Sequence, residues 1–493
     1  MEQLVACIRE LEGGHTGHPY SAEFGDRIDR RLTYLPRAAL EGIDMVRGNT
    51  DWPRRWGFVI VILALCGYWG GSALRAQEVK HLTARSFDSG FELSNGTFNG
   101  MLAASDGKIY YVLCAENIDT GAQMYSYDPV TDKITHLGDL TEASGEKGLK
   151  AVPQGKSHVS FVESNGKLYF ATHVDWYTVQ NDLESMAPPP PGYKPYPGGH
   201  FLAYDMATGK FENFAKAPEG QGIISMNMDT RRGRMYGLTW PSGYFLRYDL
   251  KSQELKNLGP LYRDGEGGHP TKRVICRALP IDPRDGSVYF TNADGDILRY
   301  RYDHDAIETV QGDNLRKDYL GTWNPLTGQD FGYGWRQALW YAPENVVYAV
   351  HGRSSYLLRF DPQAEHVDVI ERLASVPTRR SGMYDEFHYG HLSLSLGPDG
   401  HTLYYLEEGA ILENGKRLEK RGPGGDRMED LHLITYDIPA AKYTDHGAIF
   451  FSDGARPGLV NSIAVGKDGA VYCLTDIPGK QRRADLVRIP PVE

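Results

Sequence analysis

Two histidines stand near the ends of one short segment, KSHVSFVESNGKLYFATH, which runs from Lys156 to His173. Alternating apolar residues on both sides of the Asn165-Gly166 pair predict a β-hairpin with a tight turn. Because the two ends of a hairpin lie side by side, His158 and His173 are expected to meet at its open mouth. An imidazole changes its charge near neutral pH, so this pair suits proton transfer or ligand binding.

The elements that position these histidines are repeated along the chain. An apolar strand, a turn and a strand with a central aromatic residue recur seven times from residue 95 onward. In six units a third strand ends in an aromatic-Asp pair, whose carboxylate is expected to accept hydrogen bonds from the next turn. Seven such units predict an all-β fold, a seven-bladed β-propeller with four-stranded blades. The six aspartates are Asp128, Asp205, Asp249, Asp303, Asp361 and Asp437.

The seventh unit ends after its third strand. The segment EVKHLTARSF, residues 78–87, lies outside the seven units and has the pattern of a strand. We predict that it pairs with the last unit as its fourth strand, because a closed ring leaves no open sheet edge.

One run of the chain has the hydropathy of a membrane segment. Residues 56–70, WGFVIVILALCGYWG, follow two arginines and precede small residues, which predicts a signal peptide or membrane anchor over 56–76. The polar extension 1–55 has two explanations: translation starts at Met45, or a signal anchor leaves 1–55 inside. Both place the propeller, residues 78–493, outside the cytoplasm, periplasmic or secreted, with this segment as its only membrane contact.

The bulk composition excludes some classes of protein. A formal net charge of -11 argues against general nucleic-acid binding, which needs a basic surface. None of the five cysteines stands in a short metal-binding spacing. Three of them follow the apolar segment (Cys114, Cys276 and Cys473), so at least one is expected to be a free thiol or a ligand.

When the seven units are aligned at their turns, the inner strands begin on the same face on which the second strands end. This face collects imidazoles, arginines and aromatic rings, which is the composition of a ligand-binding mouth. The candidate ligand-binding residues there are Trp335, Arg336, Gln337, His391, Asn99, Asn461 and, on a long insert of the second unit, Trp176.

These residue types suit one reaction. Arg277 and Arg336 could hold a carboxylate by paired, charge-assisted hydrogen bonds, while aromatic rings stack on sugars. A histidine or tyrosine could then remove the proton from the carbon beside the neutralised carboxylate. Together they would cleave a uronic-acid polysaccharide by β-elimination.

The second-unit segment SHVSFVESNGKLYFATH, with YGLTWPSGYFLRYD in the third unit, resembles the seven-bladed propeller polysaccharide lyases, notably the ulvan-lyase type. In that family histidines and a tyrosine act with an arginine that neutralises the uronate. The resemblance implies His158, His173 and Tyr244 in proton transfer and Arg277 as the neutralising group. A weaker resemblance to oligogalacturonate lyases, which use a metal, leaves a divalent ion (Zn, Mn or Ca) open, with no ligand assigned.

Two other functions remain open. The chain could be a non-catalytic propeller that binds a glycan or a protein, with an anionic polysaccharide or another glycan as its partner. It could also be a metal-dependent propeller hydrolase, although the aligned inner-strand starts contain no carboxylate, which counts against that function.

Overall fold

The computed structural model describes residues 81–96, 98, 100–180, 183–262, 274–317, 332–352, 354–381, 393–407, 412–413, 416–417, 430–478 and 483–492. The predictions for 1–55 and 56–76 lie outside these ranges. Within them no helix has the length and hydropathy that a membrane crossing requires.

The first strand, β1 (His81–Ser86), is followed by three units that each form one four-stranded antiparallel sheet. The first unit consists of β2 (Met101–Ala103), β3 (Ile109–Leu113), β4 (Gln123–Asp128) and β5 (Lys133–Asp139), followed by the short helix α1 (Leu140–Ala143). The second consists of β6 (Val162–Ser164), β7 (Lys167–Ala171), β10 (His200–Asp205) and β11 (Lys210–Lys216), with a separate hairpin of β8 (Tyr177–Gln180) and β9 (Leu183–Met186). The third consists of β12 (Gly222–Asp229), β13 (Arg234–Trp240), β14 (Tyr244–Asp249) and β15 (Glu254–Pro260).

The later units follow the same order. The fourth consists of β16 (Val288–Thr291), β17 (Ile297–Arg301) and β18 (Ala306–Thr309), and the fifth of β19 (Trp335–Tyr341), β20 (Val346–His351), β21 (Tyr356–Asp361) and β22 (His366–Arg372), followed by α2 (Val376–Ser381). The sixth consists of β23 (Leu394–Leu396), β24 (Thr402–Glu407), β27 (His432–Asp437) and β28 (Lys442–Phe451), with a small hairpin of β25 (Leu412–Glu413) and β26 (Lys416–Arg417). The seventh consists of β29 (Ala464–Val465), β30 (Val471–Asp476) and β31 (Ala484–Ile489).

Local turn chemistry explains the hairpins. In the second unit Asn165 and Gly166 both have positive φ, 52° and 75°, as a two-residue type I′ turn requires. Ser164 and Lys167 pair directly across this turn. The predicted hairpin is therefore confirmed, and its strands run back toward His158 and His173.

The aspartate that ends most third strands also acts as predicted. Asp128, for example, accepts a hydrogen bond from the backbone N–H of Val130 at 2.9 Å. The equivalent aspartates of the second, third, fifth and sixth units accept backbone bonds in the same way. In the fourth unit Asp303 instead pairs with Arg301 at 2.8 Å.

Aromatic rings pack between neighbouring sheets and form much of the core. Phe245 of the third unit stacks on Phe290 of the fourth, with ring centroids 5.2 Å apart. Tyr127 of the first unit packs on Tyr472 of the seventh at 5.9 Å. One buried cluster is shared by the first and seventh units, so the two ends of the repeat lie against each other.

The described sheets differ from the expected ring of seven separate four-stranded blades. The fourth unit forms a three-stranded sheet, and its inner segment makes only an isolated bridge, Ile281 to Val288. Pro280 stands in that segment and has no N–H to donate to a ladder. The sixth and seventh units share one eight-stranded sheet, because β1 pairs with a strand of each.

Strand β1 joins these two units. Its first residues pair in parallel with the long strand β28, from His81 opposite Ala448 to Ala84 opposite Phe451. Its last residues pair antiparallel with β31, Arg85 opposite Arg488. The antiparallel pairing confirms the predicted fourth strand of the seventh unit, and β1 also covers the edge of β28, which was not expected.

We expect Ala84→Asp to destabilise the protein strongly. Ala84 is buried in the core cluster of the sixth and seventh units, so a carboxylate there would lose water without gaining a partner. The expected loss is about 3 kcal/mol of unfolding free energy, measured by urea denaturation. Thr83→Asp, at the exposed neighbouring position, should change the midpoint little. Equal effects of the two variants would contradict the observed packing of β1.

Candidate functional site

The mouth of the second hairpin is held by a backbone pair. Lys156 N–H donates to the His173 carbonyl at 3.1 Å, and His173 N–H donates to the Lys156 carbonyl at 2.8 Å. Two residues further on, the imidazole of His158 lies with its centroid 6.0 Å from that of His173, at 70°. The structure thus brings the two predicted histidines together, and both are buried.

The hydrogen bonding of His158 indicates which of its nitrogens carries the proton. Nδ1 lies 3.2 Å from the carbonyl oxygen of Ile224, on the neighbouring unit. A carbonyl oxygen only accepts, so Nδ1–H is the donor and Nε2 keeps its lone pair. The ring also stacks on Phe98, with centroids 4.9 Å apart. His158 is therefore fixed on both sides, with Nε2 as its basic atom.

Both imidazoles are kept neutral by their surroundings. Burial lowers the pKa of His158 well below its ordinary value. The charges of Arg277, Lys156 and Arg336 lower this pKa further, as does His173 whenever its ring is protonated. Burial also lowers the pKa of His173, again helped by Lys156 and Arg277. A neutral imidazole has a lone pair that can accept a proton, and the cationic environment favours release of that proton afterwards.

Lys156 and Asp175 form a buried ion pair beside the histidines. Their Nζ and Oδ1 atoms are 2.9 Å apart, and their side chains are 4% and 6% exposed. Burial raises the pKa of the Asp175 carboxyl, and Lys156 opposes this rise. Neither residue was predicted as part of the site. The signal was present in the spacing, since Lys156 stands two residues before His158 and Asp175 two after His173.

The position of His173 depends on a glycine. Nδ1 of His173 lies so close to the backbone of Gly222 that a Cβ at residue 222 would overlap the imidazole. On its other side the ring meets Trp240 edge to face, with centroids 5.7 Å apart. The start of β12 and the end of β13 therefore set the orientation of this imidazole.

Four more predicted residues lie at or beside inner strands and are buried. Arg277, Arg336, Gln337 and Asn461 are all at most 8% exposed, and they belong to the fourth, fifth and seventh units. The Arg277 guanidinium donates to the carbonyl of Ile275. The Nε2 atom of Gln337 is buried and has no hydrogen-bond partner in the described part of the chain. The inner strands thus gather two guanidinium groups and an amide donor, the groups that an anion would contact.

A cleft between the fourth and fifth units adjoins these residues. Its lining includes Arg336, Trp335, Cys276, Thr291 and Asn292. Arg336 thus borders this cleft, while its charge also acts on His158.

Two predicted sugar-contacting rings differ in exposure. Trp335 is only 3% exposed, and its Nε1–H donates to the Ala278 carbonyl at 3.4 Å, so it supports the fold and offers no open ring face. Trp176 is partly exposed, and its Nε1–H donates to the carbonyl of Pro188 at 3.2 Å within the insert.

The predicted tyrosine is placed differently from the histidines. Tyr244 begins β14, and its side chain packs against the hydrophobic cluster of the first three units. No contact between Tyr244 and His158 or His173 is seen among the described residues. The predicted His391 and Asn99 lie outside the described residues.

Three cysteines lie in the described part of the chain. Cys114, Cys276 and Cys473 are buried and form no disulfide among the described residues, and burial raises the pKa of Cys114 beside Asp175. The described ranges contain no group of three His, Cys, Asp or Glu side chains arranged to hold a metal ion.

No protein-family model and no curated protein matches this chain. A puromycin-hydrolysing peptidase of Mycobacterium tuberculosis is similar in structure, at 12% identity and a TM-score of 0.46, over 83% of this chain and 53% of that one. The chain thus spans about half the length of the peptidase. A luciferin-regenerating enzyme aligns over 83% of this chain and 96% of its own, at 9% identity and a TM-score of 0.37. A nidogen/laminin complex aligns over 56% and 79%, at 9% and 0.33. These likenesses establish no family.

The buried histidines predict a specific loss of stability in acid. The unfolded chain takes up protons on histidine below about pH 6.5, whereas His158 and His173 in the folded protein do not. The unfolding free energy is therefore full above that pH and falls below it, by ~1.4 kcal/mol per pH unit for each histidine. His158→Asn, which keeps a donor for the Ile224 carbonyl, should remove about one proton from this slope in urea titrations.

The matched control is His304→Asn, because the side chain of His304 is 65% exposed and meets water in both states. This control should leave the slope unchanged. If His158→Asn also leaves the slope unchanged, the buried neutral imidazole is refuted.

Proposed function

We propose that the seven units form one β-propeller whose channel mouth binds a uronic-acid polysaccharide and cleaves it by β-elimination. The observation that carries this proposal is the neutral imidazole of His158, buried within reach of the charges of Arg277 and Arg336. A base beside two carboxylate-binding groups is the combination that removal of a proton next to a carboxylate requires.

The propeller arrangement is supported by contacts between the ends of the repeat. Phe98 of the first unit and Asn461 of the seventh form a parallel bridge beside the inner strands. The shared core cluster and the strand β1 join the same two regions of the chain. A propeller of seven units accounts for all three contacts, with the eight-stranded sheet as two blades joined at β1.

The substrate carboxylate is assigned to Arg277 and Arg336, with Gln337 as an additional donor. Guanidinium groups bind carboxylates with two parallel hydrogen bonds, and this binding is stronger where water is excluded. Neutralising the carboxylate lowers the energy of the enolate that forms when the adjacent proton leaves. The burial of all three side chains places this interaction in a medium of low dielectric constant.

His158 is assigned as the base. Its Nε2 takes the C5 proton, the electrons of the C5–H bond form the C4–C5 double bond, and the C4–O bond breaks with its electron pair on oxygen. The resulting imidazolium stands among three cations, so it returns its proton to the leaving oxygen readily. One residue thus serves as base and acid, and no separate tyrosine is needed at the leaving group.

A second candidate function is a non-catalytic propeller that binds an anionic glycan. The burial of both imidazoles favours it, because a buried ring is poorly accessible to a polymer. Both functions require Arg277 and Arg336 to bind the substrate carboxylate. Only the lyase also requires His158 as a base. We further propose that the propeller acts outside the cytoplasm, on the basis of the apolar segment 56–70.

We expect purified protein to release unsaturated uronate, seen as new near-ultraviolet absorbance, from at least one of a panel of uronic-acid polysaccharides. His158→Ala should lower kcat about 10²–10⁴-fold, because the proton acceptor is lost. Arg277→Lys should lower kcat/KM while keeping a positive charge. His304→Ala, at an exposed position, is the control that should keep full activity.

Full activity of His158→Ala would refute the assignment of the base. Binding without turnover on every polymer, lost in Arg277→Lys and kept in His158→Ala, would establish the non-catalytic function instead.

A further inference from the structure

The Lys156 ammonium is one member of a closed circuit of contacts, and the other members are aromatic rings that include both histidines. His158 stacks on Phe98, and the Lys156 ammonium lies 4.1 Å from the centroid of the same Phe98 ring. On its other side the ammonium lies 4.6 Å from the ring of Tyr177.

The second half of the chain of contacts returns to the histidines. Tyr177 meets Trp240 at 5.5 Å between centroids, and Trp240 meets His173 at 5.7 Å. His173 meets His158 at 6.0 Å, which closes the circuit. The five rings come from the first three units and from the β8–β9 hairpin, so the circuit joins segments far apart in sequence.

The ammonium contacts two of these rings, Phe98 and Tyr177, and so links the two halves of the circuit. Cation–π attraction to two rings is strong where water is excluded, and the Lys156 side chain is only 4% exposed. Asp175 provides the compensating charge at 2.9 Å, as a buried cation requires. The backbone of Lys156 also exchanges both of its hydrogen bonds with His173, so its main chain and its side chain act on the same site.

We propose that Lys156 is the positioning residue of this site: its caged ammonium orients the rings that contact His158 and His173 and keeps both imidazoles uncharged. This inference rests on the proposed function for its catalytic meaning, but the protonation states can be tested without any substrate. Lys156 acts through the histidines and is not assigned a contact with substrate.

The charges around the histidines are few and can be named. His158 faces Arg277, Lys156, His173 and Arg336, in that order of effect. His173 faces Lys156 first and then Arg277. Lys156 itself faces Asp175, whose pKa is raised by burial and lowered by this ammonium. Removal of the ammonium therefore leaves only the arginines and burial to oppose protonation of these rings.

The test is the pH titration of the imidazole resonances by NMR in the full chain labelled at histidine. His158→Gln and His173→Gln assign the two signals. In Lys156→Met both midpoints should move to higher pH, because a repelling cation is gone and the Asp175 carboxylate remains. The acid limb of polysaccharide turnover should move to higher pH with them, giving a selective loss of activity at about pH 6 relative to pH 8.

Lys156→Met leaves the buried Asp175 carboxylate without its cation. A double variant, Lys156→Met with Asp175→Leu, therefore replaces the whole ion pair by apolar groups, a change that proteins often tolerate. Its midpoints should also rise. Lys167→Met is the matched control: this lysine lies on β7 of the same unit, is partly exposed and pairs with Glu212. It should leave both midpoints unchanged.

The outcomes separate the two proposals. Midpoints that stay at the parent values in both Lys156 variants overturn the role of Lys156, even if the parent cleaves polysaccharide. Midpoints that rise while no variant and no parent cleaves any polymer support the role of Lys156 and refute the lyase. A rise of the midpoints in Lys167→Met as large as in Lys156→Met would also overturn the proposal.

Discussion

The paired backbone hydrogen bonds between Lys156 and His173 are the constraint on which the site depends. They bring together two stretches of chain that the Asn165-Gly166 turn has sent in opposite directions. This pair holds the His158 segment beside His173, because His158 precedes the start of β6 and is not held by the strand ladder. The site therefore inherits its geometry from a hairpin, and hairpins are among the most local structures a chain can form.

Several cations are buried together at this site, and burying them costs free energy. Two arginines and a lysine in one interior region repel one another, and Lys156 is paired with the carboxylate of Asp175 at 2.9 Å. The histidines stay neutral, so the region carries two positive charges fewer than it would with protonated rings. The cost of assembling the cations is met by aromatic packing and β-sheet structure elsewhere in the unit, as is usual where polar groups are gathered for function.

The repeat and the hairpin were predictable because their causes are local. The turn glycines, the alternation of apolar residues and the aspartates at the ends of most third strands each act within a few residues. The two histidines followed from the same pattern. What escaped prediction depends on contacts between residues far apart in sequence: the burial of Trp335 against Ala278, the packing of Tyr244 into a hydrophobic cluster, and the ion pair of Lys156 with Asp175 across the hairpin. In each case the sequence shows a polar or aromatic residue at a plausible position, while the partner that decides its role comes from another segment.

The position of β1 sets an order of events for the folding of the chain. Of the described strands β1 leaves the ribosome first, yet its antiparallel partner β31 is the last to be made. Closing a loop of that size costs only about 2 kcal/mol more than closing one a tenth as long, so the separation has little effect on the free energy of folding. The separation does affect the kinetics of folding, because the seventh unit stays incomplete until β31 has been translated. During that interval the strands that β1 and β31 will cover remain open to pairing with other chains, so aggregation through these sheet edges is most favoured before β31 has been made.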